Sequence, residues 1–428
     1  MKSKLCLLIF CCTSYYMFGQ KALVGLPMAG HVSPSSANIL VLTKTTESLW
    51  VKYWTVEGDT ATTQFFPAYI DTLKKFNLHY YKFKLENLTA QQTYQAQFFI
   101  NKITTQSVGD LTFSTPPAIN TVTDFSFTIG SCAAPFKGLF VGLKPSLKIF
   151  DAMTKNQSDF MIWMGDNLYY LFNEWWDYEK MINKNLDYRT NKKISRFLNS
   201  RPQYATWDDH DYGPNNAAGG FKNKKTTLGI FKNFWANDSW GLENTAGVFG
   251  KFSYSDVDFF MMDSRYHRID KVQMYGKEQL EWLKKGLKNS TASFKFIISG
   301  TQVLPHTGAE DLGDYPNEHA DLMNFLKAEN ITGVIFFSGD RHFAELIKKE
   351  RKGTYPLHEM TSSALTSFYF PGSGKQEDGR VEGTFWRKRN FGRVSVEGDK
   401  ANRKCTLELF RMNGKPVWKQ EFLAKDLK

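Results

Sequence analysis

An apolar run ends in a thiol at Phe125-Ser126-Phe127-Thr128-Ile129-Gly130-Ser131-Cys132. Three later apolar runs end in polar clusters, at Gly165-Asp166-Asn167-Leu168-Tyr169, Asp208-Asp209-His210-Asp211 and Gly339-Asp340-Arg341-His342. Strands that end in this way bring carboxylates, imidazole and thiol to one rim of a sheet, and in open α/β sheets that rim is where ligands bind. The pattern therefore predicts a metal-dependent enzyme.

Strand and helix patterns alternate around these runs, which predicts an α/β domain over residues 120–428. A hairpin is predicted at Lys251–Met262, with its turn at Ser255–Asp258, and antiparallel strands are predicted in the tail at Phe391–Ala424. The order of elements predicts two packed mixed sheets flanked by helices. Further strands are expected at Phe125–Gly130, Asp159–Met164, Gln203–Trp207, Phe294–Ser299 and Gly333–Ser338, and helices at Pro145–Asn156, Gly276–Leu287 and Asn317–Ala328.

Residues 20–117 have an all-β pattern. β-rich runs occur at Ser36–Thr43, Ser48–Trp54 and Thr93–Ile100, and Leu85–Tyr94 resembles the corner between late strands of a fibronectin type III-like sandwich. A sandwich of about 100 residues is the natural interpretation. Thr115-Pro116-Pro117 is expected to be the linker, since prolines stop strands and stiffen a connection.

The first 19 residues predict a signal peptide. Two lysines precede an apolar stretch from Leu5 to Phe18, and Gly19 follows it. The stretch is short for a membrane span, and no later segment reaches transmembrane length. We therefore expect a periplasmic or secreted protein without a membrane anchor.

Composition limits the remaining function classes. The chain has 428 residues, is 42% hydrophobic and 15% aromatic, and carries a formal net charge of +11. This composition predicts an ordered protein with a large core that attracts anionic partners. No dense Lys/Arg block is present, so nucleic-acid binding is not predicted. Outside the leader the only cysteines are Cys132 and Cys405, which could pair or stay free.

The second run carries Asp166 and Tyr169 directly after a glycine that allows a sharp exit from the strand. A carboxylate can bridge two cations, and a tyrosinate favours a hard trivalent metal such as Fe3+. The alternative is an N-cap aspartate that opens a helix, with the tyrosine packed below it. These residues alone leave both interpretations open.

The third run packs Asp208, Asp209, His210 and Asp211 into four consecutive positions. Closely spaced acids repel each other and are typical of a cation site. Turn chemistry alone could explain an Asp-rich stretch, but it accounts poorly for the histidine and the apolar lead-in. We therefore favour a functional interpretation, in which some of these side chains support the site without binding the metal.

The last strand ends supply further candidates. Asp340 and His342 point to the same side if the chain stays extended, and could serve two adjacent metals or one metal twice. Arg265 could bind a phosphate with its guanidinium fork, or pair with Asp263 or Asp166 in a structural salt bridge. Gln302 is a candidate neutral contact to metal or phosphate.

Together and in this order, the four clusters resemble the alkaline phosphatase D (PhoD) family of the metallophosphoesterases. The opening segment Gly30–Ala37 is also similar to the start of that family's N-terminal domain. The resemblance implies a fibronectin/immunoglobulin-like sandwich followed by an αββα domain, and hydrolysis of phosphate mono- or diesters by metal-activated water. A monomer with a phosphate-ester substrate is expected.

The resemblance also implies the residue roles. A Fe3+ ion would be held by Cys132, Asp166, Tyr169 and His342. Asp166 would bridge to a Ca2+ ion completed by Asp209 and Asp340, and Asn215 would contact a second Ca2+, although other divalent metals could take these positions. His210 would protonate or steady the leaving oxygen, and Arg265 would stabilise the transition state. Weaker candidates for supporting roles are Asp208, Asp263 and Gln302.

Two other functions remain open. The chain could be a catalytically inactive surface protein whose sandwich binds a partner, although the complete ligand set argues against this. It could also be a nucleotidase or a phytate-degrading enzyme on the same scaffold, because substrate choice resides in loops such as Tyr170–Arg196 and Thr307–Asn317. The first of these loops is rich in Trp and Tyr, which could form a pocket wall or pack as an ordinary helix.

Overall fold

A computed structural model describes residues 22–45, 47–57, 69–73, 76–101, 107–134, 146–307, 310–369, 374 and 379–428. The predicted signal peptide lies outside these ranges. Cys132 and Cys405 are both free and buried, so they do not pair with each other. Within the described ranges, no helix has the length and apolar character needed to cross a membrane.

The N-terminal strands form two antiparallel sheets. They are β1 (Met28–Val32), β2 (Ser36–Thr43), β3 (Leu49–Thr55), β4 (Tyr69–Leu73), β5 (Leu78–Glu86), β6 (Thr93–Ile100) and β7 (Gly109–Ser114). One sheet has the order β1-β2-β5-β4 and the other β3-β6-β7. Alternate side chains of facing strands, such as Ile39, Val51 and Phe98, share one buried core. The predicted all-β pattern is present, while the fibronectin-like assignment and the domain boundaries stay predictions.

Two larger mixed sheets follow, as the alternation of strands and helices predicts. Their order is β10-β9-β8-β19-β20-β21 in the first sheet and β13-β14-β15-β16-β18-β17 in the second. The strands of these two sheets are β8 (Phe125–Gly130), β9 (Phe160–Met164), β10 (Gln203–Thr206), β13 (Gly250–Tyr254), β14 (Val257–Met261), β15 (Phe294–Ser299), β16 (Val334–Ser338), β17 (Ala344–Lys349), β18 (Leu357–Ser362), β19 (Asn390–Glu397), β20 (Lys404–Arg411) and β21 (Pro416–Leu423). The short strands β11 (Gly241–Leu242) and β12 (Thr245–Ala246) pair with each other in a separate two-stranded sheet.

Helices cover the outer faces of both large sheets. Within the described ranges the helices are α1 (Lys148–Lys155), α2 (Tyr178–Thr190), α3 (Lys192–Asn199), α4 (Asp209–Tyr212), α5 (Lys224–Phe234), α6 (Lys277–Lys288) and α7 (Pro316–Ala328), of which the short α4 closely follows the end of β10. These ranges also contain 3-10 turns at Glu174–Trp176, Leu312–Asp314, Lys400–Asn402 and Ala424–Asp426. Phe150 and Phe197 pack on Trp163 of the first sheet, at 6.3 and 5.9 Å between ring centroids. Leu283 and Leu322 belong to the buried cluster of the second sheet.

The two large sheets pack against each other through phenylalanine side chains. Phe127 on β8 lies 5.2 Å from Phe259, 5.7 Å from Phe296 and 6.0 Å from Phe337, measured between ring centroids. The three partners come from the neighbouring parallel strands β14, β15 and β16. Aromatic rings at these distances add specific edge and face contacts to the buried area. The strand ends that follow this core are therefore held on a rigid platform.

The hairpin turn is shorter than the sequence suggests. Val257 and Asp258 pair with Tyr254 and Ser253, so that only Ser255 and Asp256 form the turn. Ser255 accommodates the tight reversal with a positive φ of 57°. The predicted turn at Ser255–Asp258 is thus wrong by two residues, because polar residues at a strand start look like turn residues in the sequence.

Candidate metal centre

Four candidate ligands lie at the same offset from the ends of parallel strands. Cys132, Asp166, Asp208 and Asp340 each lie two residues beyond the last residue of β8, β9, β10 and β16. Strands β8, β9 and β10 pair in parallel, and β14, β15, β16 and β18 do the same. The carboxyl ends of these strands meet at one edge of the sandwich, where the sequence predicts the site.

The backbone leaves the strands through left-handed conformations. Cys132 has a φ of 57°, Asp166 of 52°, Asp340 of 64° and His342 of 57°. For residues with a Cβ atom this conformation costs about 1–2 kcal/mol each. Such strain is typical of functional sites, where the surrounding structure maintains it. Four strained candidates at one rim therefore support a functional interpretation of this edge.

The first pocket consists of Cys132, Asp166, Tyr169 and His342. The Cys132 thiol donates to Asp166 Oδ2 at 3.5 Å, and the Tyr169 hydroxyl donates to the same oxygen at 2.8 Å. Tyr169 Oη also lies 3.1 Å from His342 Nε2. His342 Nδ1 is 2.6 Å from the Phe368 carbonyl oxygen, which orients Nε2 toward the pocket. Thiol, carboxylate and imidazole atoms lie within 4.8 Å of one another.

The second pocket consists of Asp208, Asp209 and Asp340, whose carboxylate oxygens also lie within 4.8 Å of one another. Asp166 connects the two pockets, since its Oδ2 faces Tyr169 while its Oδ1 accepts the His210 backbone amide at 3.2 Å. Asp166, Asp209 and His210 form a further group within the same distance limit. The carboxylate of Asp166 thus lies where a bridging ligand would lie.

Arg265 is fully buried beside the second pocket. Its guanidinium forms ion pairs with Asp208 and, at 3.0 Å, with Glu310, and its Nη2 lies 4.0 Å from Asp209 Oδ1. The sequence suggested Asp263 or Asp166 as salt-bridge partners, and that suggestion is wrong. Asp263 instead receives the backbone amide of Arg265 at 2.9 Å, because it caps the turn that follows β14.

Asp263 and Gln302 are fixed by hydrogen bonds to neighbouring protein groups. Asp263 accepts hydrogen bonds from the Trp207 indole at 2.8 Å and the Val248 amide at 3.0 Å. Gln302 Nε2 donates to Glu345 at 2.8 Å and to Thr361 at 3.0 Å. Both side chains are fully buried. Their contacts stabilise the strand ends that carry the two pockets.

The polar residues after Asp208 have different surroundings: Asp211 is buried in the turn, whereas Asn215 is exposed. Asp211 accepts the backbone amides of Asp208 and Leu168, both at 3.1 Å, and so stabilises the turn. The exposed Asn215 donates from its amide to Asn216 Oδ1 at 2.5 Å. His210 stacks on the Tyr169 ring with centroids 4.1 Å apart. Its ring therefore borders the first pocket while its backbone amide contacts Asp166.

The assumption that the chain stays extended over Asp340 and His342 is wrong. Both have positive φ values, so the chain is not extended after β16. Asp340 groups with Asp208 and Asp209, whereas His342 groups with Cys132 and Asp166. A tight turn, rather than strand alternation, thus sends the two side chains to neighbouring pockets.

Burial and like charges oppose ionisation in the first pocket. Burial, and then the nearby Asp166, raise the pKa of the Cys132 thiol well above its usual value. Burial and the carboxylates of Asp209 and Asp208 likewise raise the pKa of Asp166. Burial lowers the pKa of His342 to about 4. The hydrogen bonds that the thiol and the phenol donate to Asp166 require that Cys132 and Tyr169 keep their protons in the absence of a cation.

In the second pocket the positively charged guanidinium of Arg265 partly compensates the carboxylates. Burial is the largest influence on Asp209, but the charges of His210 and Arg265 outweigh it and lower the pKa of that carboxyl. Burial, followed by Asp208, raises the pKa of Asp340 to about 8. Asp208 Oδ2 is buried and has no hydrogen-bond partner in the described part of the chain. An unpaired buried carboxylate oxygen is a suitable cation ligand.

Three supporting residues were missed by the sequence reasoning. Glu310 binds Arg265, the Ser363 hydroxyl donates to Cys132 Sγ at 3.1 Å, and the Phe368 carbonyl orients His342. Ser363 directly follows β18, so the rule of polar residues at strand ends could have found it. No comparable signal marks Glu310, which lies in a loop, or Phe368, which acts through its backbone.

Comparisons with known proteins were consistent with this geometry. The model of the PhoD-like phosphatase family matches residues 127–391. Alkaline phosphatase D of Bacillus subtilis (strain 168) is 22% identical over 280 residues, which are 52% of this chain and 46% of that relative. The chain thus aligns with about half the length of this curated relative.

Two solved structures have a similar fold. The structure of PhoD aligns with a TM-score of 0.75 at 16% identity, over 94% of this chain and 89% of that one. The purple acid phosphatase PPD1 from yellow lupin (Lupinus luteus) seeds aligns with a TM-score of 0.66 at 12% identity, over 93% and 74%. At these identities the likeness concerns the fold.

Proposed function

The chain belongs to the PhoD-like phosphatase family, and on this premise we propose that it is a metal-dependent phosphoesterase acting on phosphate monoesters, diesters or both. One observation carries the proposal. The side chains of Cys132, Asp166 and His342, which span more than two hundred positions of the sequence, offer ligand atoms within 4.8 Å of one another. Beside them lies a second carboxylate group that could accept a further cation.

The donor sets fit two different kinds of metal ion. The first pocket offers thiol, phenol, carboxyl and imidazole groups, which suit Fe3+ held by Cys132, Asp166, Tyr169 and His342. The second offers carboxylate oxygens, which suit Ca2+ held by Asp166, Asp209 and Asp340. Asn215 is our candidate contact for a further Ca2+, and other divalent ions could replace calcium. The unpartnered Asp208 Oδ2 supports a cation near the second pocket.

The protein side chains would orient the substrate and handle its protons. When bound, the cations would supply a nucleophile from water near neutral pH and offset the charge of the phosphate oxygens. His210 Nδ1 and Arg265 Nη2 are buried and lack hydrogen-bond partners among the described residues. We assign to His210 the protonation of the leaving oxygen, and to Arg265 a hydrogen bond to a phosphate oxygen as its charge develops.

The proposal is tested with the purified full-length chain. Bound metals would be measured by elemental analysis, and hydrolysis of para-nitrophenyl phosphate would be compared with that of bis-para-nitrophenyl phosphate. We expect iron together with calcium, and turnover of at least one substrate at alkaline pH that chelation abolishes. A chain that binds no metal, or keeps full activity after metal removal, would contradict the proposal.

The same preparation distinguishes the other candidate functions. Nucleotides and phytate would be assayed beside the two synthetic esters. Substrate specificity is expected to reside in loops that do not contribute metal ligands, so the ligand set alone does not identify the substrate. A metal-loaded chain that hydrolyses none of these esters would favour the inactive surface protein. Export is a separate proposal, and N-terminal sequencing of the mature protein from the periplasm or medium tests it, with cleavage expected near Gly19.

A further inference from the structure

A third group of potential metal ligands lies outside both pockets. The loop cluster consists of His306, Asp311 and Asp314, in the connection from β15 to α7. One nitrogen and two carboxylate oxygens from these residues lie within 4.8 Å of one another. His306 is largely exposed, Asp314 is nearly buried, and Asp311 is fully buried. The roles proposed for the two pockets make no use of these three side chains.

Asp311 is the unusual member of the loop cluster. Its Oδ2 accepts hydrogen bonds from the Thr307 amide at 2.8 Å and from the Thr307 hydroxyl at 2.6 Å. Its Oδ1 is buried without a hydrogen-bond partner, and no Lys or Arg of the described ranges forms an ion pair with the carboxylate. Burying an ionised carboxylate without a cation is costly. The geometry therefore leaves a place for a positive charge.

Helix capping does not explain why Asp311 Oδ1 is buried without a hydrogen-bond partner. Asp311 occupies the N-cap position of the 3-10 turn Leu312–Asp314, but its side chain makes no capping hydrogen bond. His306 and Asp314, whose Nδ1 and Oδ1 atoms lie 3.6 Å apart, do not satisfy Asp311 Oδ1 either, because this oxygen has no hydrogen-bond partner among the described residues. That separation leaves both atoms available to a shared partner.

A second imidazole borders the loop cluster. His319 on α7 has a buried Nε2 without a partner in the described chain. Burial lowers the pKa of His319, and the charge of Asp311 partly opposes this effect. A buried ring nitrogen and a buried carboxylate oxygen, both without hydrogen-bond partners among the described residues, are an arrangement that a divalent ion could use.

We propose that His306, Asp311 and Asp314 bind one divalent transition-metal ion, with Zn2+ preferred. Imidazole nitrogen and carboxylate oxygen are both ligands of zinc, and water or a further side chain could occupy the fourth position of a tetrahedral site. Calcium and magnesium favour oxygen ligands alone, so the imidazole distinguishes this site from the second pocket. The exposed side of His306 provides access for the ion.

The ion would position Glu310, which pairs with Arg265 beside the second pocket. Glu310 is adjacent to Asp311, and its backbone amide donates to Asp314 Oδ2 at 3.0 Å. Its carboxylate reaches Arg265 at 3.0 Å and Arg268 at 2.7 Å. An ion held by His306 before Glu310 and by Asp311 and Asp314 after it would fix the loop on both sides of Glu310. Glu310 would then hold Arg265 in one orientation, which makes the loop cluster a positioning site.

The binding site can be tested without an activity assay. Crystals of the full-length chain, prepared with its own metals, would be soaked in Zn2+ and measured at the zinc absorption edge, and Zn2+ affinity would be measured by calorimetry. We expect an anomalous peak between His306, Asp311 and Asp314. His306→Ala should remove the peak and weaken this binding event at least about 100-fold, since even supporting residues of metal sites contribute 10–100-fold.

Two further variants complete the test. Asp314→Asn should act like His306→Ala, whereas Asp321→Asn, a matched change at a half-exposed position of α7, should leave Zn2+ binding unchanged. The proposal is overturned if the wild-type chain has no peak at the loop cluster, or if the peak and affinity persist in both His306→Ala and Asp314→Asn. Neither result depends on the proposed phosphoesterase activity, so the two ideas fail separately.

Discussion

The first pocket and the second pocket meet at Asp166, and they compensate buried charge in different ways. In the first pocket the ligand groups are hydrogen-bonded to one another, with Tyr169 donating to Asp166 at 2.8 Å and lying 3.1 Å from His342. In the second pocket the buried Arg265 pairs with Asp208 and lies 4.0 Å from Asp209. A cation must therefore displace protons to enter the first pocket, whereas the second is already partly ionised.

This difference has consequences for metal exchange. Deprotonating a buried thiol and phenol requires a strongly polarising ion, which once bound is held by several charged ligands. In the second pocket the guanidinium of Arg265 repels an incoming cation while it keeps the carboxylates ionised. We therefore expect tight binding in the first pocket and weaker, exchangeable binding in the second. The following predictions separate the two pockets in order of decreasing effect.

Asp166→Asn should have the largest effect, because this carboxylate contacts both pockets. We expect kcat/KM to fall at least about 10³-fold, equivalent to about 4 kcal/mol of transition-state stabilisation, together with loss of iron and calcium. Kinetics and elemental analysis of the folded variant measure both effects. Asp187→Asn, at an exposed position of α2, is the control. Retention of both metals in Asp166→Asn would show that the pockets do not share this ligand.

Selective chelation should separate the pockets in the unmodified protein. A calcium-selective chelator should lower activity about 10²-fold, the effect of losing one electrostatic stabiliser of the transition state. Added calcium should restore the activity, and the iron content should stay constant throughout. The measurement is activity and metal content before and after dialysis. If iron leaves as readily as calcium, the predicted difference in binding strength between the pockets is wrong.

Cys132→Ala should affect the first pocket alone. We expect a lower iron content, a change in the visible charge-transfer absorbance as the thiolate contribution is lost and that of Tyr169 remains, and a decrease in activity of about 10–100-fold, the range for weakened metal ligation. Cys405→Ala is a matched control, because Cys405 is also a fully buried free thiol but packs within the hydrophobic core. If both variants keep the wild-type iron content and spectrum, then Cys132 is a packing residue and the first pocket lacks a sulfur ligand.

The sequence predicted the strand ends that border both pockets better than the ion pairs around Arg265. Cys132, Asp166 and Asp340 lie at a fixed offset from strand ends, and a strand followed by a polar residue is a local signal. The partners of Arg265 had no such signal, since Glu310 reaches it from a loop 45 positions away. The turn after β16 was also missed, because two left-handed residues without glycine contradict the usual preference. Local sequence patterns thus predicted which strand ends carry candidate ligands, whereas the long-range ion pairs and strained turns are visible only in the structure.

Glu310→Gln should have the smallest effect and should act on the second pocket alone. Glutamine keeps the shape of the side chain but removes the charge that pairs with Arg265 at 3.0 Å and Arg268 at 2.7 Å. Arg265 would then interact more with Asp208 and Asp209, and compete more strongly with a cation for these carboxylates. We expect calcium affinity to fall up to about tenfold, at the lower end of the range for supporting residues, with the iron content unchanged.

Calorimetric calcium titration of Glu310→Gln, with the iron content measured in parallel, tests this expectation. Glu329→Gln is the control, since Glu329 is exposed and pairs only with Lys288 among the described residues. Equal calcium affinity in both variants would mean that Arg265 does not compete with the cation. A loss of iron in Glu310→Gln would contradict the separation of the pockets, because the charge on Arg265 would then influence the ligands of the first pocket through Asp166.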